Sequence, residues 1–260
     1  MCIRLYFIVF RRELGRRMEI SMKEFFVFTG NFGSGKSELA INLALQKVQE
    51  NPPCTLVDMD TINPYFRSAE RGDVLKSAGV RVIAPPYALH KIEIMSVSAE
   101  VYSVFAQKDG TVIFDAGGDP VGAIPLGQYF SYFKDIPKEQ LHVFMVINPF
   151  RPLAETADKA HALMEQIQMA TRLAVTDIIN NANLVEETTL EDLLTGYHVV
   201  KELSEKTGLP VHATTGTQKL LGEFAAYAKE HGLDPKYIGQ LIPIDVIMHR
   251  TWNKFLKHGL

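Results

Sequence analysis

The feature that most limits what this chain can fold into is an eight-residue segment, GNFGSGKS, at Gly30 to Ser37. It matches the pattern G-x-x-x-x-G-K-[ST], and it lies between an apolar run and a stretch with helical periodicity. Glycines let the backbone curl until successive N–H groups point inward, and a helix that begins here adds the positive end of its dipole. The segment therefore predicts a phosphate-binding loop, or P-loop, between a β-strand and an α-helix.

The side chains of this loop suggest a nucleoside triphosphate with Mg²⁺ as the ligand. Lys36 is predicted to be catalytic and to reach the β- and γ-phosphates as a mobile cation. Ser37 is predicted to place its hydroxyl on the metal ion, which keeps most of its waters. The other predicted nucleotide contacts in this segment are Gly30, Asn31, Phe32, Gly33, Ser34, Gly35 and Glu38.

Apolar runs bounded by turn residues alternate with helix-like stretches along the chain, which indicates βαβ crossovers and a mostly parallel sheet. Strands are predicted at Glu24–Thr29, Thr55–Met59, Val80–Ala84, Thr111–Phe114, His142–Ile147, Asp177–Ile179 and Val211–Thr214. Helices are predicted at Lys36–Gln49, Ala154–Leu173, Leu190–Lys206 and Lys219–His231. We expect a single doubly wound α/β domain over residues 23–260, with its ligands at the carboxyl ends of the strands.

Composition and the N-terminus bear on where the protein works. The formal net charge of -3 gives no signal for a nucleic-acid surface, and the two cysteines, without a CxxC pair, favour a reducing, cytoplasmic compartment. The apolar run Ile3–Phe10 is too short to span a bilayer, and its arginines follow it, unlike those of a secretory signal. We expect residues 1–22 to be an extension outside the core; an extra strand or a membrane-touching tail are the alternatives.

A second motif, TVIFDAGGD at Thr111 to Asp119, ends a predicted strand with a carboxylate. A magnesium site beside a P-loop needs such a carboxylate, and we assign that role to Asp115. The segment also has the form D-x-x-G, in which the N–H of Gly118 approaches the γ-phosphate. A plain strand-end turn is the alternative.

A third motif, TLVDMDTINPYFR, runs from Thr55 to Arg67. Asp58 and Asp60 are two residues apart, so in extended geometry their side chains lie on the same face. Asp60 is predicted to orient the attacking water, and Asp58 to hold the magnesium shell or to share that catalytic role. A strand-end turn or a helix cap remains open.

The three motifs together resemble the MinD/ParA and CobQ/CobB branch of P-loop NTPases, over residues 23 to about 217. The resemblance implies a Mg-dependent nucleotide hydrolase whose nucleotide state switches contact with a protein partner, in many members as a dimer. Members often carry a signature lysine directly after the first glycine of the loop, where this chain has Asn31. Arg67, Arg71 or Arg151 are the candidates to replace that charge.

The base is predicted to be adenine. After the sixth strand the chain reads Asn180-Asn181-Ala182-Asn183, where many GTPases have N-K-x-D. The amide of Asn183 cannot accept both guanine donors as an Asp carboxylate does, whereas Asn180 could pair with N6 and N7 of adenine. An asparagine-rich turn is the alternative.

The sequence is compatible with three functions. The leading hypothesis is a Mg-dependent ATPase acting as a switch on a protein partner, either as a monomer or as a homodimer. The alternatives are an enzyme that uses ATP to activate a small molecule, and an adaptor that binds nucleotide without hydrolysing it.

Overall fold

The computed structural model describes residues 23–60, 72–84 and 99–248. The interpretations of residues 1–22, Arg67 and Arg71 lie outside them. The strands are β1 (Glu24–Gly30), β2 (Cys54–Asp58), β3 (Arg81–Ile83), β4 (Thr111–Asp115), β5 (Leu141–Ile147), β6 (Asp177–Asn180), β7 (Val211–Gly216) and β8 (Gln240–Pro243). The α-helices are α1 (Lys36–Glu50), α2 (Gly72–Ser77), α3 (Tyr102–Ala106), α4 (Pro120–Gly127), α5 (Phe130–Phe133), α6 (Ala157–Thr171), α7 (Leu190–Thr207) and α8 (Gln218–His231).

The strands form one sheet in the order β3-β2-β4-β1-β5-β6-β7-β8, and every pair of neighbours is parallel. This confirms the predicted doubly wound α/β fold and all seven predicted strands. The eighth strand, β8, was not predicted, because it lies at the sheet edge and none of its residues is fully buried. An edge strand does not need the continuous apolar run by which buried parallel strands are recognised.

Helices cover both faces of the sheet, as alternation along β1 requires. Phe25 and Val27 point into a core that packs against α4 and α6–α8, whereas Phe26 and Phe28 point into a second core against α1 and α2. The long helices match their predictions except that α6 begins three residues later, where the Thr156 side chain accepts a hydrogen bond from the Lys159 amide. The short helices α2–α5 were not predicted.

The strand order decides where the site lies. β1 occupies the middle of the sheet between β4 and β5, and β4 is flanked on its other side by β2. Because all strands are parallel, the carboxyl ends of β1, β2 and β4 meet at one edge. The P-loop and the two acidic strand ends therefore converge there. In the part of the chain that the structure describes, no helix is long and apolar enough to cross a membrane.

Candidate functional site

The P-loop backbone needs its glycines. Gly30 and Gly35 have φ values of 139° and 93°, in the region that side chains other than glycine rarely adopt. A Cβ on Gly30 would also lie 2.5 Å from the carbonyl oxygen of Val146, and one on Gly35 would collide with the amide of Asn181. Glycine is therefore required at both positions by the backbone conformation of the loop and by the close contacts with Val146 and Asn181.

Lys36 lies inside the loop, and its side chain is buried. Its Nζ donates to the carbonyl oxygen of Asn31 at 2.8 Å. Burial lowers the pKa of Lys36, and the carboxylates of Asp115, Asp60 and Asp119 oppose this shift. The cation is thus held between a loop carbonyl and a group of acids, within the cradle that the loop forms.

The N-terminus of α1 differs from those of the other long helices. Among the described residues, no side chain caps α1, whose N-cap is Gly35. Four other helices have N-cap side chains that accept backbone hydrogen bonds: Asp119 on α4, Thr156 on α6, Thr189 on α7 and Thr217 on α8. The first N–H groups of a helix need partners, and α1 is the one helix of these five whose N-terminus has no capping side chain, as is usual for a helix that binds phosphate.

The predicted acidic residues come together on neighbouring strands. Asp58 at the end of β2 is the register partner of Asp115 at the end of β4, and both side chains are buried. The Asp58 Oδ1 accepts from the Asp60 amide at 3.0 Å, and the Met59 amide donates to the Asp115 carbonyl at 2.9 Å. The two carboxylates therefore lie side by side at the edge where the loop begins.

This donor set fits Mg²⁺. Two carboxylates and the Ser37 hydroxyl are hard oxygen ligands, which Mg²⁺ prefers over nitrogen and sulfur. Over residues 23–60, 72–84 and 99–248 there is no cluster of three or more His, Cys, Asp or Glu side chains that could cage a metal. A magnesium ion here would rely on phosphate and water for its remaining ligands, as is usual for this ion.

The D-x-x-G turn touches the loop. A Cβ on Gly118 would lie 2.7 Å from the Cα of Phe32, so only glycine allows this approach. The next residue, Asp119, accepts from the Gly122 amide at 2.5 Å as the N-cap of α4, and it also acts on Lys36. Asp119 was not predicted as a site residue, although the sequence pattern Asp-Pro is typical of a helix start.

Two predicted loop contacts are engaged within the protein. Asn31 is buried; its Nδ2 donates to the carbonyl of Pro152, and its Oδ1 accepts from the Phe32 amide at 2.7 Å. Glu38 accepts from the amide of Ile247 at 2.5 Å and of Met248 at 3.1 Å, which ties the segment after β8 to the start of α1. These side chains hold the loop and α1 in place.

The hydroxyl of Ser34 is buried, and no hydrogen-bond partner is found for it among the described residues.

The asparagine-rich segment differs from its prediction. Asn180 is fully buried: its Oδ1 accepts from the Ala182 amide, its Nδ2 donates to the Leu193 carbonyl, and a Cβ on Gly196 would collide with it. In this conformation it offers no amide to a base, which argues against the predicted adenine contact. Its neighbour faces the loop instead, because successive residues point to opposite sides.

That neighbour, Asn181, was not predicted as a site residue. Its Nδ2 donates to the carbonyl of Ser34 at 2.6 Å, and its Oδ1 accepts from the Thr215 hydroxyl at 2.6 Å. The doublet Asn180-Asn181 was the only signal in the sequence, and strand alternation could not tell which of the two faces the ligand. Asn181 supports the P-loop from behind.

No family model and no curated protein matches this chain. Solved structures do. The chain is similar to the cell division protein FtsY of Thermotoga maritima (18% identity, TM-score 0.50, covering 77% of this chain and 64% of that one). It is also similar to FtsY of Mycoplasma mycoides (14% identity, TM-score 0.51, covering 76% of this chain and 61% of that one). A third similar structure is the signal recognition particle 54 kDa protein of Aeropyrum pernix in complex with GDP (20% identity, TM-score 0.51, covering 82% of this chain and 47% of that one).

The chain spans less than two thirds of the length of each of these structures. At such identities the likeness bears on the fold and does not single out the MinD/ParA branch. What the sheet order, the loop and these structures show together is that the chain has the P-loop NTPase fold.

Proposed function

We propose that this protein binds ATP with Mg²⁺ at the P-loop, hydrolyses it, and uses the nucleotide state to control contact with a protein partner. One observation carries the proposal: an uncapped helix start and a glycine-shaped loop enclose Lys36 beside the paired carboxylates Asp58 and Asp115. Burying charge is costly, and a bound phosphate chain with its metal ion would interact favourably with both the lysine and the carboxylates.

The chain's own residues would act as follows. The loop N–H groups and the start of α1 hold the phosphates, and Lys36 transfers its hydrogen bond from the Asn31 carbonyl to a phosphate oxygen. Ser37, Asp115 and Asp58 would hold Mg²⁺, which when bound neutralises charge on the phosphates. Asp60 orients the attacking water, and the Gly118 N–H meets the terminal phosphate. Positioning and charge stabilisation are most of what phosphoryl transfer requires of a protein.

A switch follows from the contact between Gly118 and Phe32. The D-x-x-G turn packs directly on the loop, so a terminal phosphate bound there would contact both the turn and the loop. Loss of that phosphate would release the turn and α4 behind it. The partner in this proposal is a protein, either a different chain or a second copy of this one.

The test of nucleotide binding is Lys36→Ala. We expect the variant to lose about 2–4 kcal/mol of ATP affinity, the range for a desolvated charge-assisted contact, with little change in melting temperature without nucleotide. Isothermal titration measures the affinity, and Lys229→Ala, which removes an exposed lysine from α8, is the matched control. Unchanged ATP affinity in a folded Lys36→Ala protein would refute the proposal. Phosphate release by the wild type separates hydrolysis from binding alone.

The proposed base is adenine, and it rests on Asn183. Asn183 has one acceptor oxygen, which already accepts from the Val185 amide at 2.5 Å, so the two donors of guanine would be left unsatisfied there at about 1–3 kcal/mol. We expect at least a tenfold preference for ATP over GTP, which is about 1.4 kcal/mol. Competition of the two nucleotides for one labelled site measures it. The Aeropyrum pernix structure contains GDP, so equal or tighter GTP binding here would place this chain with that guanine-nucleotide complex and end the ATP proposal.

A further inference from the structure

Arg151 lies on the outer lip of the P-loop, in the segment that follows β5. Its Nε donates to the carbonyl of Gly33 at 3.1 Å. A Cβ on Gly33 would lie 3.0 Å from that Nε and 3.2 Å from the Cζ, so the guanidinium packs directly on the loop backbone. An arginine 118 residues away in sequence is thus in contact with the middle of the phosphate-binding motif.

The backbone that carries Arg151 is held on both sides. The Arg151 amide donates to the Asn148 carbonyl at 3.1 Å, and the Ala154 amide donates to the Arg151 carbonyl at 3.2 Å. The following residue, Pro152, accepts the Asn31 amide with its carbonyl. The backbone that carries the guanidinium is therefore an ordered turn beside the loop.

The charge of Arg151 is not matched within the described part of the protein. No ion pair joins it to a carboxylate there, and its Nη groups make no hydrogen bond to the residues that the structure describes. A guanidinium uses its planar fork to bind phosphate oxygens in pairs. With Nε on the Gly33 carbonyl, the Nη groups keep their donors for an anion bound beside the loop.

The position along the loop indicates which phosphate this would be. Lys36 and Arg151 donate to the carbonyls of Asn31 and Gly33, two residues apart in the first half of the loop. Both cations therefore flank the part of the loop that is farther from the start of α1 in sequence. Gly118, which we propose meets the terminal phosphate, contacts Phe32 between them.

We propose that Arg151 is the second cation of the triphosphate site and that it contacts the terminal phosphate, in the same chain, through its Nη groups. The inference rests on the proposed function, because it needs a nucleotide in the loop. Arg151 would then be the residue that distinguishes a nucleoside triphosphate from a diphosphate. The second positive charge of the site comes from Arg151 in the turn after β5, whereas Asn31 joins that turn to the loop through its hydrogen bond to Pro152.

The experiment compares Arg151→Gln with the wild type in binding to ADP and to a slowly hydrolysed ATP analogue, at one fixed salt concentration. A charge-assisted hydrogen bond contributes about 1.5–3 kcal/mol, so we expect analogue affinity to fall by roughly tenfold to a hundredfold. ADP affinity should fall by less than about threefold, since ADP lacks the phosphate concerned. The analogue affinity of Arg151→Lys, which keeps the charge and loses the planar guanidinium, should lie between those of the wild type and of Arg151→Gln.

Two further variants make the outcome specific. Arg172→Asn removes an exposed arginine between α6 and β6, at the opposite edge of the sheet, and keeps a residue that tolerates the φ of 61° found there. It should bind both nucleotides as the wild type does. If Lys36→Ala weakens binding but Arg151→Gln changes nothing, or weakens both nucleotides equally, this inference is wrong and the proposed function stands. If Lys36→Ala has no effect, the proposed function itself fails.

Discussion

At the scale of single residues, the site is a group of carboxylates around one lysine. Asp115, Asp60 and Asp119 all act on the buried Lys36, and Asp58 lies beside Asp115 on the neighbouring strand. Such a group of like charges is unfavourable by itself, because charged groups repel each other most strongly where water is excluded. A divalent metal ion would offset that repulsion. The carboxylates that would hold the metal ion and the one that would orient water can then be distinguished by substitution.

We expect Asp60→Asn and Asp58→Asn to have different effects. If Asp60 orients the attacking water, Asp60→Asn should slow phosphate release and leave nucleotide affinity nearly unchanged. Asp58→Asn should also weaken nucleotide binding, and only when Mg²⁺ is present, because it removes a carboxylate from the metal site. Turnover and affinity are measured with and without Mg²⁺. Wild-type turnover in both variants would show that neither residue is catalytic.

At the scale of elements, the P-loop is supported from behind by two strands that lie far from it in sequence. The Thr215 hydroxyl on β7 donates to Asn181 after β6, and Asn181 donates to the Ser34 carbonyl in the loop. All three residues are buried. Buried hydrogen bonds in a row hold a backbone in one place, since breaking one leaves polar groups without partners.

We expect Asn181→Ala to cost about 1–3 kcal/mol of the free energy of unfolding, because it removes the donor to the Ser34 carbonyl and leaves the Thr215 hydroxyl only its longer hydrogen bond to the Asn180 carbonyl, at 3.2 Å. Nucleotide affinity should fall as well, since the loop loses its support. Urea unfolding measures the first effect and titration the second. Thr215→Val keeps the volume and removes only the hydroxyl, so the double variant should lose less than the sum of the two single losses. Strict additivity would mean that the two residues do not act as one chain.

At the scale of the whole molecule, the two faces of the sheet carry different cores. α6, α7 and α8 pack on one face, whereas α1 and α2 pack on the other. On the α1 side a groove of about 360 Å³ lies between α1 and the segment after β8, and His212 on β7 lines it. The His212 ring lies 4.8 Å from that of Phe144 and its Nδ1 lies 3.8 Å from Asp177.

This placement predicts how stability depends on pH. Burial lowers the pKa of His212 below its ordinary value near 6.5, and Asp177 opposes the shift. Below about pH 6.5 the unfolded chain therefore binds a proton more readily than the folded one, so stability falls as the pH falls. One proton limits this slope to about 1.4 kcal/mol per pH unit. His212→Gln should flatten the curve of unfolding free energy below about pH 6.5, and His231→Gln, on the exposed α8 surface, should not.

Local sequence was sufficient for everything that depends on neighbouring residues. The loop between β1 and α1, the seven predicted strands and the acidic strand ends at Asp58 and Asp115 all follow from short patterns. Glycines impose their backbone turn locally, and a buried strand or a helix face repeats its apolar residues at a fixed interval. Elements with weak patterns were not predictable in this way. α4 contains two prolines and two glycines, and β8 lies half-exposed at an edge.

Tertiary structure decided which residues meet at the site. Nothing near Asn180 and Asn181 in the chain distinguishes the one that bonds to α7 from the one that holds the loop; the choice depends on how β6 packs between β5 and β7. Of the three candidate arginines, Arg151 lies in the described part of the chain, and the position of β5 beside β1 brings it to Gly33. Contacts between residues more than a hundred positions apart are set by strand order and register. The amino-acid sequence by itself therefore determined the P-loop, the acidic strand ends and the class of fold, whereas the packing of the sheet determined that Asn181 and Arg151 contact that loop.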